Sequence, residues 1–219
     1  MNYPPAPWHL KGYAIQTINL LDIEKSRCLI PPELNIVAVL PGKTLGGVYL
    51  SAYQSGSVLE YSELIVVAGL TRYQDRLGFW ISHIYVDNEI SVAGGREIWQ
   101  LPKEMAEFTW KEEEVEVKQQ DILLCRLKCD RDWYSVSTWW QPQFQADAFS
   151  GLKQDLLLFK NHFSGNLELL SGKLFIPENS PFSQLNLGQP LLTVRTNQLD
   201  IQAGKPEKIA NKTNLIPLS

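Results

Sequence analysis

The sequence predicts a mostly β domain, with about ten strands that close into a barrel or pack as sheets and only a few short helices. Three observations carry this. Runs rich in β-branched and aromatic residues recur along the whole chain. Turn residues such as Pro41-Gly42 and Ser55-Gly56-Ser57 separate them. Stretches with a helical start signal are few and short.

Taken in order, strands are expected at 13–20, 35–40, 47–53 and 59–73, then at 78–86, where Phe79-Trp-Ile-Ser-His-Ile-Tyr85 combines both favoured residue types. In 111–118, Val115 and Val117 alternate with acids; 121–129, 134–140, 166–176 and 191–202 complete the set. A helix over 22–28 would be capped by Asp22 and stopped before Pro31. A second over 87–99 would be capped by Asp87 or Asn88. Its Gly94-Gly95 pair weakens it unless another part of the chain passes close by. A third is expected over 152–162. With no repeat or linker composition, 1–219 is one domain, about 203–219 forming a C-terminal tail.

Composition excludes several classes. Lys plus Arg is 20 and Asp plus Glu is 24, giving 20 − 24 = −4. A mildly acidic chain of pI near 5.5 lacks the footprint of a nucleic-acid binder. No apolar run reaches the ~18 residues of a membrane span, so no membrane association is expected. The opening segment has neither the charged nor the apolar region of a secretory signal. Three cysteines without framework spacing suit a reducing compartment, and a cytoplasmic location is expected. Cys125 and Cys129, four apart, would share one face of a strand without bridging. No histidine stands near them in sequence to complete a zinc site, so they are expected as buried inert thiols, with no metal. Seven tryptophans and exposed barrel edges are compatible with a homo-oligomer.

Familiar catalytic patterns are missing. His9, His83 and His162 stand in unrelated contexts, and His83 on an apolar strand is expected as a core residue. No Gly-x-Ser-x-Gly elbow surrounds a serine. Gly94-Gly95-Arg96 follows a helix start rather than a strand, so it does not fit dinucleotide binding. What remains is Lys103. It follows Leu101-Pro102 on the extended exit from the second helix, flanked by Trp99 and Met105. A lysine held against apolar walls loses solvation of its charged form, and its free amine attacks carbonyls to give an imine that accepts electrons.

The segments Tyr85-Val-Asp-Asn-Glu89, Ala93-Gly-Gly-Arg-Glu97 and Leu101-Pro-Lys103, together with Tyr61-Ser-Glu63, resemble the acetoacetate decarboxylase-like superfamily. Pro4-Pro-Ala-Pro-Trp-His-Leu-Lys-Gly12 and Ile30-Pro-Pro-Glu-Leu34 fit its N-terminal part. The resemblance implies an antiparallel closed β-cone or barrel around an apolar cavity. It makes Lys103 the Schiff-base lysine and Glu63 the acid–base carboxylate. No cofactor is implied, and the partner is a small keto or aldehyde substrate. Arg96, Tyr61 and Trp99 are the candidate substrate-binding residues, with Arg72 and Lys11 as further cations for a keto-acid carboxylate; pairing with Glu97 or capping of backbone carbonyls is the equal alternative for Arg96.

The chain departs from the family at telling positions. Glu104 stands where the decarboxylase has a second lysine, in an extended segment where neighbouring side chains point opposite ways. Gly12 stands at the arginine position, and near Val48 a second family glutamate has no equivalent. Two readings follow: a lysine-dependent lyase, by decarboxylation or by aldol or dehydration chemistry, and a non-catalytic small-ligand binder on the same scaffold.

Overall fold

Side chains alternate across the long central strands, and this alternation divides the core in two. The computed structural model describes residues 2–130 and 140–211. In chain order the elements are β1 (Trp8–Asp22), α1 (Ile23–Arg27), β2 (Asn35–Ile36), β3 (Lys43–Tyr53), β4 (Tyr61–Tyr73), β5 (Arg76–Val86) and α2 (Glu89–Ile98). There follow β6 (Lys103–Met105), β7 (Glu107–Trp110), β8 (Glu114–Gln119), β9 (Ile122–Asp130), β10 (Gln143–Ser150), β11 (Asp155–Phe175), β12 (Leu192–Ala203) and β13 (Glu207–Asn211). A 3-10 turn, Ser183–Leu185, precedes β12. The architecture is thus mostly β with few helices.

Along β4, Tyr61, Glu63, Ile65 and Val67 line a cavity, while Leu64, Val66 and Ala68 enter a separate apolar cluster with Leu50, Trp80 and Phe149. Along β3, Tyr49 and Tyr53 face the cavity, and Leu50 turns away. Each strand therefore carries apolar residues on both faces. That explains why 59–73 reads as a nearly unbroken apolar run rather than an alternating one.

The strand order is β10–β5–β4–β3–β1–β12–β11–β9–β8–β7, with β13 on β11, β2 on β4 and β6 on β5. Neighbours are antiparallel except β5 with β6 and β5 with β10. β10 also pairs along its length with β11, so it borders both β5 and β11. The link to β5 is short, Ala148 opposite Phe79 and Phe149 opposite Trp80. Among the described residues no helix is long and apolar enough to cross a membrane.

The structure corrects several expectations. Residues 152–162 are not helical: Asp155–Phe175 is one long strand. Leu156-Leu-Leu-Phe159 is buried throughout, and such a run carries no periodicity to separate helix from strand. β10 was not expected, because Gln143, Gln145 and Asp147 dilute its apolar face, yet Phe144, Ala146 and Ala148 still line the cavity. Asp22 makes no capping hydrogen bond and instead accepts 2.6 Å from Lys43 Nζ. The strand expected at 35–40 shrinks to Asn35–Ile36. Within the expected tail, Glu207–Asn211 forms a strand. Of the strand expected at 134–140, residues 134–139 lie outside the described residues.

Candidate active site

The site begins with how α2 is started. Asn88 Oδ1 accepts from the backbone N–H groups of Ile90 and Ser91, at 2.9 and 3.1 Å, which caps the helix. The preceding Asp87 does something else. Its Oδ1 accepts 2.6 Å from the Ser62 N–H, fixing the start of β4 against the end of β5. The paired segments 61–63 and 85–89 are thus one hydrogen-bonded unit. Residues one turn apart on a helix share a face, so Ser91 and Gly95 both look toward the segment that returns as β6.

That segment is held close. Leu101 N–H donates 3.1 Å to the Gly95 carbonyl, and Arg96 Nε donates 2.7 Å to the Lys103 carbonyl. β6 then lies parallel to β5 with Lys103 opposite Ile84. The glycine pair makes this approach sterically possible. A methyl group at Gly95 would fall 2.5 Å from Lys103 Cδ, and one at Gly94 would fall 2.6 Å from the Trp8 ring. Helix propensity is given up at two positions so that one lysine and one indole can lie against the helix.

Lys103 is 3% exposed. Its Nζ lies 2.7 Å from Glu63 Oε1 and 2.9 Å from Ser91 Oγ. The Tyr61 ring centroid is 4.9 Å away and that of Trp8 5.7 Å. The other oxygen of Glu63 accepts 3.1 Å from the Tyr53 hydroxyl. Burial drives the Tyr53 and Tyr61 phenols well above the ordinary tyrosine range, so both keep their protons as donors. Tyr49 Oη, also buried, lies beside the polar side chains of Tyr53 and Ser51, and burial raises its pKa as well. Chemically this is an amine and a carboxylate within proton-transfer distance on the wall of an apolar cavity.

The cavity has a volume of ≈ 330 Å³ and is lined by both groups. It extends along β4 from Glu63 to Val67, about 13 Å at roughly 3.3 Å per residue. Aromatic and aliphatic side chains from β1, β3, β5, β10, β11 and β12 form most of its wall.

The expected residues divide cleanly. Lys103, Glu63, Tyr61 and Trp99 all line the cavity; the Trp99 ring packs edge-on against Trp8 at 4.9 Å. Arg96, expected to bind substrate, is exposed and absent from the lining, because its guanidinium is taken up in holding the Lys103 backbone. Arg72 and Lys11 are exposed too, and Lys11 pairs with Asp200 at 3.6 Å. Glu104 is exposed and accepts 2.8 Å from Gln119, so it faces away from Lys103, as strand alternation requires. Gly12 admits no side chain: a Cβ there would meet the Ala52 carbonyl oxygen at 2.0 Å. His83 lies outside the cavity, against Tyr85 and Phe182, and burial lowers its pKa. Cys125 and Cys129 are buried free thiols, pushed up to about 12 and about 11 by burial.

Ser91 and Trp8 were not foreseen as parts of the site. For Ser91 the signal was present in its spacing, four residues before Gly95 on a capped helix. Trp8 comes from a segment remote in sequence and gave no local sign. Among the described residues, no group of three or more His, Cys, Asp or Glu side chains could hold a metal ion.

Comparison with known proteins identifies the family of the chain and the likeness of its fold. Residues 1–131 match the family model for acetoacetate decarboxylase (ADC). Protein NEOXANTHIN-DEFICIENT 1 of Solanum lycopersicum is 32% identical over 111 residues, which is 51% of this chain and 37% of that protein. Its counterpart in Arabidopsis thaliana is 31% identical over 107 residues, 49% of this chain and 38% of that protein. The matched region thus spans well under half the length of these relatives. Among solved structures, acetoacetate decarboxylase from Legionella pneumophila superposes with a TM-score of 0.73 at 16% identity, covering 96% of this chain and 90% of that one. The enduracididine biosynthesis enzyme MppR complexed with pyruvate gives a TM-score of 0.71 at 14% identity, covering 95% and 92%. At such identities these two likenesses are likenesses of fold.

Proposed function

The chain belongs to the acetoacetate decarboxylase family, and from that premise we propose that it is a Schiff-base lyase whose nucleophile is Lys103 and whose acid–base group is Glu63. One observation carries the reading: Lys103, 3% exposed, holds its Nζ 2.7 Å from a buried carboxylate on the wall of an apolar cavity. The ion pair first collapses by one proton crossing from Nζ to Oε1, which leaves a neutral amine and a neutral acid. In a poorly solvated site this exchange removes two charges at once.

The amine lone pair then adds to a ketone or aldehyde carbon, and an N–H proton passes to the oxygen to give a carbinolamine. The Glu63 acid protonates that hydroxyl, which leaves as water, and the product is an iminium on Lys103 beside a carboxylate. The iminium accepts the electron pair of a neighbouring C–C or C–H bond, and Glu63 carries the proton. Ser91 and the Tyr61 ring steady the cationic nitrogen, and Tyr53 orients the carboxylate. Tyr61 and Trp99 contact the substrate, and Arg96 positions the lysine. The reading takes the domain as a single unit with its sheet closed around the cavity; the pairing of β10 on both sides supports that.

The same ion pair also favours a second reading, a ligand binder in which Lys103 stays an ammonium held by Glu63 and Ser91. Reduction with cyanoborohydride in the presence of a ketone separates the two. The enzyme gains the mass of the ketone less its oxygen, which leaves as water, on the peptide containing Lys103; a binder gains nothing with any carbonyl compound.

A further inference from the structure

We infer that the substrate is a neutral, elongated, mainly hydrocarbon ketone or aldehyde, and that keto acids are poor substrates. This rests on the imine reading above and concerns what the rest of the cavity can accept. The argument begins with charge. Among the described residues, Lys103 is the one cation in the cavity lining, and Glu63 already engages it. The remaining charged residue of that lining is Asp147, an acid. The cations proposed from the sequence, Arg96, Arg72 and Lys11, are exposed and outside the lining. At Gly12 the Ala52 carbonyl leaves no room for a side chain of any kind. A carboxylate beside the reacting carbonyl would lose its water and gain no free countercharge, in a cavity that already holds two acids.

Shape points the same way. At roughly 30 Å³ per water-sized unit, ≈ 330 Å³ holds about eleven such units, more than a four-carbon keto acid fills. Beyond Glu63 the apolar wall continues along β4 through Ile65 and Val67 and along the neighbouring β5 through Ile81 and Phe79. An alkyl or alkenyl tail laid along that wall gains burial with each carbon, roughly fourfold in affinity per CH₂.

The consequence for chemistry is specific. The iminium formed from a simple ketone carries no carboxylate to lose as CO₂. The bond that breaks is the C–H at the carbon next to it: the proton goes to the Glu63 carboxylate and the electron pair forms an enamine. That step leads to aldol or dehydration chemistry rather than decarboxylation.

The test uses the whole chain with cyanoborohydride and a homologous series, acetone, 2-butanone, 2-pentanone, 2-heptanone and 2-nonanone, beside acetoacetate and pyruvate. Adducts at Lys103 are counted by mass. In parallel, 2-nonanol, which cannot form an imine, is titrated by tryptophan fluorescence, since Trp8 and Trp99 line the cavity. The expected result is half-maximal trapping by 2-nonanone at least about 100-fold below acetone, with acetoacetate and pyruvate weaker than acetone. Keto acids trapped as readily as 2-nonanone, or no dependence on chain length, would overturn the inference and leave the lysine reading standing. No trapping by any carbonyl compound, with tight 2-nonanol binding, would overturn the imine and keep the ligand class. Neither trapping nor binding would remove both.

Discussion

The contact between Gly95 and Lys103 gives the sharpest prediction. In Gly95→Ala the new methyl lies 2.5 Å from Cδ, 2.7 Å from Cε and 3.1 Å from Cγ of Lys103. Carbon atoms settle about 3.5–4.0 Å apart, so something retreats by about 1 Å. The helix gains about 1 kcal/mol from alanine, and the lysine is the more flexible partner, so the lysine yields. Its Nζ contacts, now 2.7 and 2.9 Å, then open past hydrogen-bond reach. A displacement of that size costs about 100-fold in a positioned reaction. We expect the rate of cyanoborohydride-dependent adduct formation with 2-nonanone to fall about 100-fold, with the thermal midpoint by circular dichroism moving less than about 4 °C. Wild-type trapping by a stably folded Gly95→Ala protein would refute the claim that this helix face fixes the amine.

Three further outcomes follow from the same geometry. Glu63→Gln keeps the shape but removes the proton acceptor, so trapping slows by about 100-fold or more, read as the initial rate of adduct formation. Lys103→Met leaves a buried carboxylate that has lost its cation and keeps the Tyr53 hydroxyl, and costs about 3–5 kcal/mol in urea denaturation; adding Glu63→Gln returns most of that loss, because neither partner then remains as an isolated charge. The buried thiols set an alkaline limit. Folding raises Cys125 to about 12 and Cys129 to about 11, above the ordinary value of 9.0, so the folded state keeps protons that the unfolded state releases. Their contribution is complete well below pH 9 and declines above it, most steeply near pH 10, where the two together lose at most about 3 kcal/mol per pH unit. Iodoacetamide at pH 8 should accordingly label Cys28 and spare both buried thiols, as counted by intact mass.

Much of the scaffold was legible because local rules agreed with the fold. The second helix was marked by its Asn88 cap, and β4 and β5 by length and residue type. The run at 156–159 misled because burial on both faces erases the period that tells strand from helix. β10 stayed hidden because Gln143, Gln145 and Asp147 interrupt its apolar residues. In the site, Lys103 and Glu63 were readable mainly through the resemblance, since a lysine after Leu-Pro has no chemistry of its own. The two glycines showed only that something must pass close to α2. That the visitors are the Lys103 stem and the Trp8 ring depends on long-range packing of β6 and β1, which no local pattern encodes. For Arg96 the sequence left substrate binding and capping of a backbone carbonyl equally open; the folded chain has its Nε on the Lys103 carbonyl.

The central claim is that Lys103 Nζ becomes bonded to a substrate carbon, and a crystal structure of the borohydride-reduced protein after incubation with 2-nonanone tests it most directly. The account predicts continuous electron density from Lys103 Nζ to the second carbon of the ligand, with the tail along Ile65 and Val67. Density for a free ketone beside an unmodified Lys103 still paired to Glu63, or an adduct on any other lysine, would contradict it.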